Sequence, residues 1–231
     1  MAGENVRSGS WIRAAGAVFL KDWRSELRTR YAISALGMFI LTTVSIVLFS
    51  LGSEGASVDA LSGMLWVVIF FSAMSGLSRT FVAEEERGTS MTLQLHTPPG
   101  AVFAGKLLFN AVLVVALTVL AVLLYAGFIN GFVVKSYAIF AVTILLGALG
   151  FAAAATIIAA IIARASTKGT LYPVLSFPIM LPLLLTVINA TRLAAEGAVF
   201  EEAYGEFHIL ISYIVVVVTV SFLVFEYVWK D

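Results

Sequence analysis

Six long apolar runs constrain this chain more than any other feature of its sequence. Each run has roughly 20 or more residues and no charge in its interior, the length that an α-helix needs to cross the hydrocarbon core of a bilayer. The sequence therefore predicts an all-α polytopic membrane protein with a single transmembrane domain over 1–231. We expect the membrane-spanning helices at about 31–51, 60–78, 107–129, 138–163, 171–190 and 208–228.

The composition agrees with this class of protein. Hydrophobic residues make up 61% of the chain and charged residues 12%, and the mean hydropathy is +1.02. Soluble domains average about 45–50% apolar and about 25% charged residues, so this chain has more apolar sequence than a water-soluble core would use. The chain has no cysteine, which excludes disulfides and thiolate metal sites.

The segment before the first run, at 10–29, has a different pattern. Apolar residues recur there at helical spacing, and charged residues fall largely between them. The pattern predicts an amphipathic helix that lies in the plane of the membrane interface, in contact with the lipid bilayer. The alternative is a basic flank that only fixes the topology. The apolar set is Trp11, Ala14, Ala15, Val18, Phe19, Trp23 and Leu27, and the charged set is Arg13, Lys21, Asp22, Arg24 and Arg28.

Basic residues are distributed unevenly between the two sides that six spans would define. Twelve would lie on the side of the two termini, and only Lys135 and Arg192 on the other side. Cytoplasmic segments of membrane proteins carry the excess of Lys and Arg. We therefore expect both termini to lie in the cytoplasm, and we expect a bacterial inner membrane as the location.

The longest polar interruption lies at 79–106, between the second and third runs. We expect a turn at 84–88, a short helix at about 89–95 and a stop at 98–100, before the third span begins near Ala101 or Lys106. The acids are interpreted either as a solvated surface or as part of a docking site. The apolar side chains of the short helix would pack on another cytoplasmic loop or fill a groove on a partner. The candidate residues are Arg79, Phe81, Glu84, Glu85, Glu86, Arg87, Gly88, Met91, Leu93, Leu95, Pro98 and Lys106.

Two further features lie in the second half of the chain. A short basic loop with Arg164, Lys168 and Gly169 separates the fourth and fifth runs, on the same side as the longest polar interruption. The fourth run is rich in glycine and alanine, which predicts a closely packed central helix. The fifth run has Pro178 and Pro182 on one face, which predicts a helix break. A fixed kink and a hinge are both consistent with that pattern.

The chain lacks the residues that many membrane machines use for their chemistry. No ionisable side chain lies in the interior of a predicted span, whereas ion-coupled transporters place such groups near the midplane. No GxxxxGK[ST] nucleotide-binding loop is present. We therefore expect no catalytic residue, no resident metal or cofactor and no nucleic-acid partner. We expect a separate ATPase to supply energy by docking on the 79–106 segment.

The chain resembles the CcmB family, the haem exporter protein B of cytochrome c maturation. The resemblance is carried by three stretches in the same order as in the family. They are KDWRSELRTRY before the first span, LSRTFVAEEERGTSMTLQLHTPPGAVFAGKLLFN around the longest polar interruption, and STKGTLYPVLSFPIMLPLLLTVINAT at the fifth span.

This resemblance implies a type 2 ABC exporter fold with a coupling helix between the second and third spans, and a homodimer within a larger complex. It implies docking of the ATPase subunit CcmA, which would bind ATP, with CcmC and CcmD as membrane partners and CcmE as the periplasmic chaperone. Haem would be the substrate, or the chain would help to release the haem-loaded chaperone. The residues that match the family's pattern are Arg79, Phe81, Glu84, Glu85, Gly88, Pro98, Lys106, Lys168, Gly169, Pro178 and Pro182.

Two other functions remain open from the sequence. A related type 2 exporter permease for a drug, a lipid or a polysaccharide would have the same layout of spans and loops. A non-transporting scaffold that assembles haem-handling subunits would not need ATP hydrolysis by its partner. An intramembrane enzyme is disfavoured, because the spans carry no cluster of acids, bases or metal ligands.

Overall fold

The described part of the chain is helical apart from its turns and short connections. A computed structural model describes residues 2–29, 31–51, 56–78, 80–82, 84, 88–164 and 171–230, and no strand occurs among them. These residues form eight α-helices and one 3-10 helix. In chain order they are α1 (Ala2–Thr29), α2 (Tyr31–Ser50), α3 (Val58–Leu77), α4 (Ser90–His96), α5 (Pro99–Phe128), α6 (Tyr137–Arg164), α7 (Leu171–Glu196), the 3-10 helix (Phe200–Ala203) and α8 (Tyr204–Lys230).

Six of these helices, α2, α3, α5, α6, α7 and α8, are long and apolar enough to cross a membrane. An α-helix satisfies its own backbone hydrogen bonds, which is why apolar runs of this length adopt it in a bilayer. The predicted class, an all-α polytopic membrane protein, is confirmed. The apolar stretches are Ile33–Ser50, Val58–Leu77, Pro99–Phe128, Tyr137–Ala163, Ser176–Glu196 and Phe200–Trp229.

Two helix boundaries differ from those expected. α5 begins at Pro99 with Pro98 as its N-cap, so the proline pair starts the third span and does not act only as a stop before it. Proline suits this position because the first turn of a helix has no intrahelical acceptor for its N–H groups. α7 continues to Glu196, beyond the expected end of the fifth span at 190. Gly197 follows with a φ of +87°, a left-handed conformation that glycine adopts easily at the end of a helix.

α6 lies at the centre of the bundle, where it contacts α3, α5, α7 and α8. In its membrane-spanning part 67% of the residues are buried, against 17% in α2 and in α8. Small residues permit this close packing: a Cβ added to Gly147 would lie 2.3 Å from Cη2 of Trp66, and one on Gly150 would lie 2.7 Å from Cδ1 of Leu183. The expectation of a closely packed central helix is confirmed.

α7 passes through Pro178 and Pro182 as one continuous helix. The two prolines therefore do not divide the fifth span into two helices. Both prolines lie on the exposed side of α7, and the hydroxyl of Thr186 donates a 2.8 Å hydrogen bond to the carbonyl of Pro182. A kink or a hinge at these positions stays a prediction.

The packing of α6 on α3 yields a stability test. Gly147→Ala would place a methyl group against the indole of Trp66, which is fully buried and donates a 2.8 Å hydrogen bond to Thr191. Because the ring is held in place, we expect a loss of about 1–3 kcal/mol in the free energy of unfolding, measured by thermal unfolding in detergent. Gly127→Ala in α5 is the control, since its added Cβ would meet no neighbouring helix within 4 Å. An equal effect of both substitutions would contradict close packing of α6.

Candidate functional site

Four charged side chains from three separate segments meet at one end of the bundle. Lys21 and Asp22 come from α1, Glu84 comes from the connection between α3 and α4, and Lys106 comes from the start of α5. We call these four residues the ion cluster. Its position next to α4 makes it the candidate functional site, because α4 is the short helix expected within the longest polar interruption.

Lys106 is the centre of the ion cluster. Its ammonium group Nζ lies 2.9 Å from Oε1 of Glu84 and 3.0 Å from Oδ2 of Asp22, and it donates a 3.0 Å hydrogen bond to the carbonyl of Thr80. The side chain is only 3% exposed. The ring of Phe81 lies 5.6 Å from the same nitrogen, within the range of a cation–π contact. A buried ammonium needs this set of partners, because without them its loss of hydration would be uncompensated.

Glu84 is held by two further side chains. Lys21 forms an ion pair with the same oxygen that receives Lys106, and the hydroxyl of Thr89 donates a 2.5 Å hydrogen bond to the other oxygen. Burial alone would raise the pKa of Glu84, but the nearby charge of Lys106 and the hydrogen bonds from Lys21, Thr89 and Lys106 lower that pKa to about 2. The carboxylate is therefore ionised at neutral pH. It is neither a solvated surface acid nor exposed enough to dock a partner.

A glycine sets the local turn after Glu84. Gly88 has a φ of +66°, and the backbone N–H of Thr89 donates a 3.0 Å hydrogen bond to the carbonyl of Glu84. Only glycine enters this left-handed conformation at little cost, so this position favours the residue found there. The turn brings the hydroxyl of Thr89 back to the carboxylate and leads directly into α4.

A second glycine brings α1 against α5. A Cβ added to Gly105 would lie 2.6 Å from the carbonyl oxygen of Ala15 and 2.7 Å from Cβ of Val18, so any larger residue would push the two helices apart. This close approach places Asp22 within reach of Lys106. Spacing and composition did not single out Gly105, and they did not assign Lys21 and Asp22 to the site. The one sequence pattern that could have indicated this contact is a glycine followed by a lysine, Gly105 and Lys106, at the start of an apolar helix.

Aromatic side chains surround the ion cluster and connect it with the end of α8. The ring of Phe81 is buried, with its centroid 5.6 Å from that of Phe225 and 6.0 Å from that of Trp229. Phe103 of α5 lies 5.0 Å from Phe225 by the same measure. From α4, the amide of Gln94 donates a 2.6 Å hydrogen bond to the backbone carbonyl of Trp229. α4 is therefore attached to α8 as well as to the ion cluster.

A line of hydrogen bonds continues from the ion cluster into the bundle. Thr80, whose carbonyl receives Lys106, donates from its hydroxyl to Oδ1 of Asn110 at 3.2 Å. The amide nitrogen of Asn110 donates to the hydroxyl of Thr156 in α6 at 2.8 Å, and that hydroxyl donates to the carbonyl of Ala152 at 2.6 Å. Asn110 and Thr156 are fully buried. The ion cluster is thus connected through polar side chains to the central helix.

α4 exposes two apolar side chains on one face. Met91 is 68% exposed and Leu95 is 74% exposed, and residues four apart lie on the same side of a helix. Leu93 is half-buried and packs against the hydrophobic core. The two expectations for these residues therefore apply to different side chains: Leu93 packs inward, whereas Met91 and Leu95 are available to a partner.

Some of the other candidate residues lie in the described part of the chain, and the rest lie outside it. Pro98 is the N-cap of α5, and Pro178 and Pro182 lie inside α7. Arg164 ends α6, and its side chain is not among those described. The described residues contain no group of three or more His, Asp and Glu that could hold a metal ion. The candidates outside the described residues are Arg79, Glu85, Glu86, Arg87, Lys168 and Gly169.

Comparison with known protein families matches residues 13–227 to the family described as CcmB protein. The chain belongs to the CcmB family. The match covers most of α1, the whole ion cluster, five of the six apolar helices completely and α8 up to residue 227. No curated protein matches the chain. A CcmB protein is a multi-pass inner-membrane subunit of the haem-exporting ABC transporter of cytochrome c maturation, in which ATP hydrolysis belongs to a separate subunit.

The ion cluster predicts a pH dependence of stability that depends on Glu84. The pKa of Glu84 is about 2 in the folded chain and 4.5 ordinarily, so its contribution to stability is complete above pH 4.5. The contribution is lost as the pH falls from about 4.5 to about 2, because the unfolded chain takes up the proton first. We expect thermal unfolding in detergent to show a loss on the order of 3 kcal/mol across this window that Glu84→Gln does not show.

The control for this measurement is Glu202→Gln, because Glu202 is exposed on the 3-10 helix and takes no part in the ion cluster. This variant should follow the pH dependence of the unmodified chain. If Glu84→Gln lost stability as steeply as the unmodified chain between pH 4.5 and pH 2, Glu84 would not be held as an ionised partner of Lys106.

Proposed function

We propose that α4 is the coupling helix on which the ATPase subunit of this CcmB protein docks, and that the ion cluster transmits the resulting movement to the membrane helices. The observation that carries the proposal is the pair of exposed apolar side chains, Met91 and Leu95, on a helix that is otherwise firmly attached. Exposed apolar side chains on a short anchored helix are suited to fill a pocket on a partner.

The attachments of α4 support its use for transmitting force. Just before its start, the hydroxyl of Thr89 donates a hydrogen bond to Glu84. In its second half, Leu93 packs on the hydrophobic core and the amide of Gln94 donates a hydrogen bond to the carbonyl of Trp229. These contacts join α4 to α1, α5 and α8 through the ion cluster and its aromatic neighbours. A displacement of α4 would therefore move several helix ends together instead of bending a loose loop.

The hydrogen-bonded line through Thr80, Asn110 and Thr156 supports a route to the centre of the bundle. It connects the ion cluster with α6, which contacts four other membrane helices. Buried polar contacts of this kind have defined geometry, so a shift at one end changes the preferred position of the other. We propose that ATP binding or hydrolysis in the partner repositions α6 through these contacts.

The orientation follows from the same arrangement. The ion pairs of Lys21 with Glu84 and of Asp22 with Lys106 put α1 and α4 at the same end of the bundle, and α8 ends there beside Gln94. Twelve of the basic residues are assigned to this side when the six spans alternate. We propose that this end is cytoplasmic, with both termini on that side.

The resemblance of the sequence supports the finer assignments. We propose a CcmA-like ATPase that binds ATP, CcmC-like and CcmD-like membrane partners, a CcmE-like periplasmic chaperone and a homodimer of this chain. The fold is proposed to be that of a type 2 ABC exporter. Haem is then the substrate that is delivered, or the complex releases the haem-loaded chaperone.

Docking on α4 is tested by replacing its exposed apolar pair. Met91→Asp combined with Leu95→Asp removes both side chains without touching Leu93 or the ion cluster. We expect about tenfold less ATPase subunit to co-purify with the membrane complex, since interface anchors contribute more than 1 kcal/mol each. The amount of assembled cytochrome c in the cells should fall together with the amount of bound ATPase subunit.

The matched control is Val199→Asp, an exposed apolar residue beside the 3-10 helix and away from α4. It should leave the co-purification unchanged. Unchanged ATPase binding by the α4 double variant would refute docking on this helix. Lost ATPase binding with normal cytochrome c assembly would instead favour a non-transporting scaffold.

A further inference from the structure

α1 has three sides with different surroundings. Its docked side faces α5 and the connection before α4, and it includes Ala15, Val18 and Asp22. The close contact at Gly105 and the ion pair with Lys106 fix the rotation of α1 about its own axis. The two remaining sides of the helix are therefore presented in a defined direction, and each has its own chemistry.

The second side of α1 is apolar and exposed. Its residues recur along one face of the helix, and the isoleucine at its start is 65% exposed. Such a row of large apolar side chains is unfavourable in water, and it is typical of helices that lie in a membrane interface. The exposed residues of this side are Ile12, Leu20, Trp23 and Leu27.

The third side of α1 is basic and directly adjoins the apolar side. Arg24 and Arg28 are one turn apart, and Arg13 lies three turns before Arg24 on the same side. All three are exposed, and within the described part of the chain none of them forms an ion pair. Lys21 differs from them, because it is used in the ion cluster. Three arginines are thus left for a partner.

We propose that the basic side of α1 binds the headgroups of anionic phospholipids while the apolar side rests against their acyl chains. The arginines lie along the edge of the apolar row, as a phosphate would lie along the edge of the hydrocarbon region. An acidic protein surface would match the arginines alone and would leave Leu20 and Leu27 in water. The ligand is therefore lipid. This inference is independent of ATPase docking on α4.

The test uses the full chain in nanodiscs of zwitterionic lipid with a fixed fraction of one lipid brominated on its acyl chains. Bromine quenches nearby tryptophan, and Trp23 lies on the apolar side of α1, whereas Trp66 is buried. Trp23→Phe identifies its share of the signal. We expect brominated phosphatidylglycerol to quench Trp23 more strongly than brominated phosphatidylcholine at the same mole fraction.

Removing two of the three arginines should strongly reduce this preference. Each basic residue near the membrane contributes about 1 kcal/mol of attraction to anionic lipid, so Arg24→Gln with Arg28→Gln should reduce the local enrichment by about fivefold or more. Arg24→Lys with Arg28→Lys should retain it, since the charge is kept. Lys135→Gln, an exposed cation in the connection between α5 and α6, is the control and should have no effect.

Equal quenching by the two brominated lipids would overturn the proposal, as would a preference that is undiminished in the double glutamine variant. If that variant kept its lipid preference but lost ATPase co-purification, the basic side would belong to a protein interface and the lipid assignment would be wrong. The quenching is measured on the chain without its ATPase, so its outcome does not depend on the docking proposed for α4.

Discussion

The buried ammonium of Lys106 is the interaction on which this end of the molecule depends. A charge that is almost fully removed from water must be surrounded by opposite charge and hydrogen-bond acceptors. Those partners come from α1 and from the connection between α3 and α4, so the ion cluster brings three separate segments together. Gly105 makes this possible, because its missing side chain lets α1 approach α5 closely.

The remaining features of the site follow from that arrangement. Glu84 is fixed by two lysines and by Thr89, and this fixes where α4 begins. Gln94 and the aromatic contacts of Phe81 then attach the same region to α8. The result is an anchored helix with two exposed apolar side chains and a polar connection to α6. This chain has no GxxxxGK[ST] nucleotide-binding loop, and the proposed role of the arrangement is to receive mechanical work from a separate ATPase.

Much of the fold could be predicted because the bilayer leaves few alternatives. Long apolar runs must be helices, and the small residues of the fourth run predict its central position. The ion cluster could not be predicted, because Lys21 and Glu84 are 63 positions apart in the sequence. Lys106 has the pattern of an ordinary charged residue that flanks a membrane span. The pair Pro98 and Pro99 was ambiguous for a similar reason, since proline occurs both after the end of a helix and in its first turn. For Met91 and Leu93, spacing alone did not separate the exposed residue from the packed one.

Through these ion pairs, Lys106 holds α1 and α4 to α5 as one unit. Amide hydrogen exchange of Lys106→Met in detergent tests this role, with Lys135→Met as the control. We predict faster exchange in both α1 and α4, although they are distant in sequence, with no change in the buried centre of α6. Asp22 and Glu84 would then share Lys21 as their one remaining cationic partner in the ion cluster, and two carboxylates with a single nearby ammonium are the reason for that loss of protection. Faster exchange confined to the start of α5, with α1 and α4 still protected, would show that Lys106 does not hold these helices together.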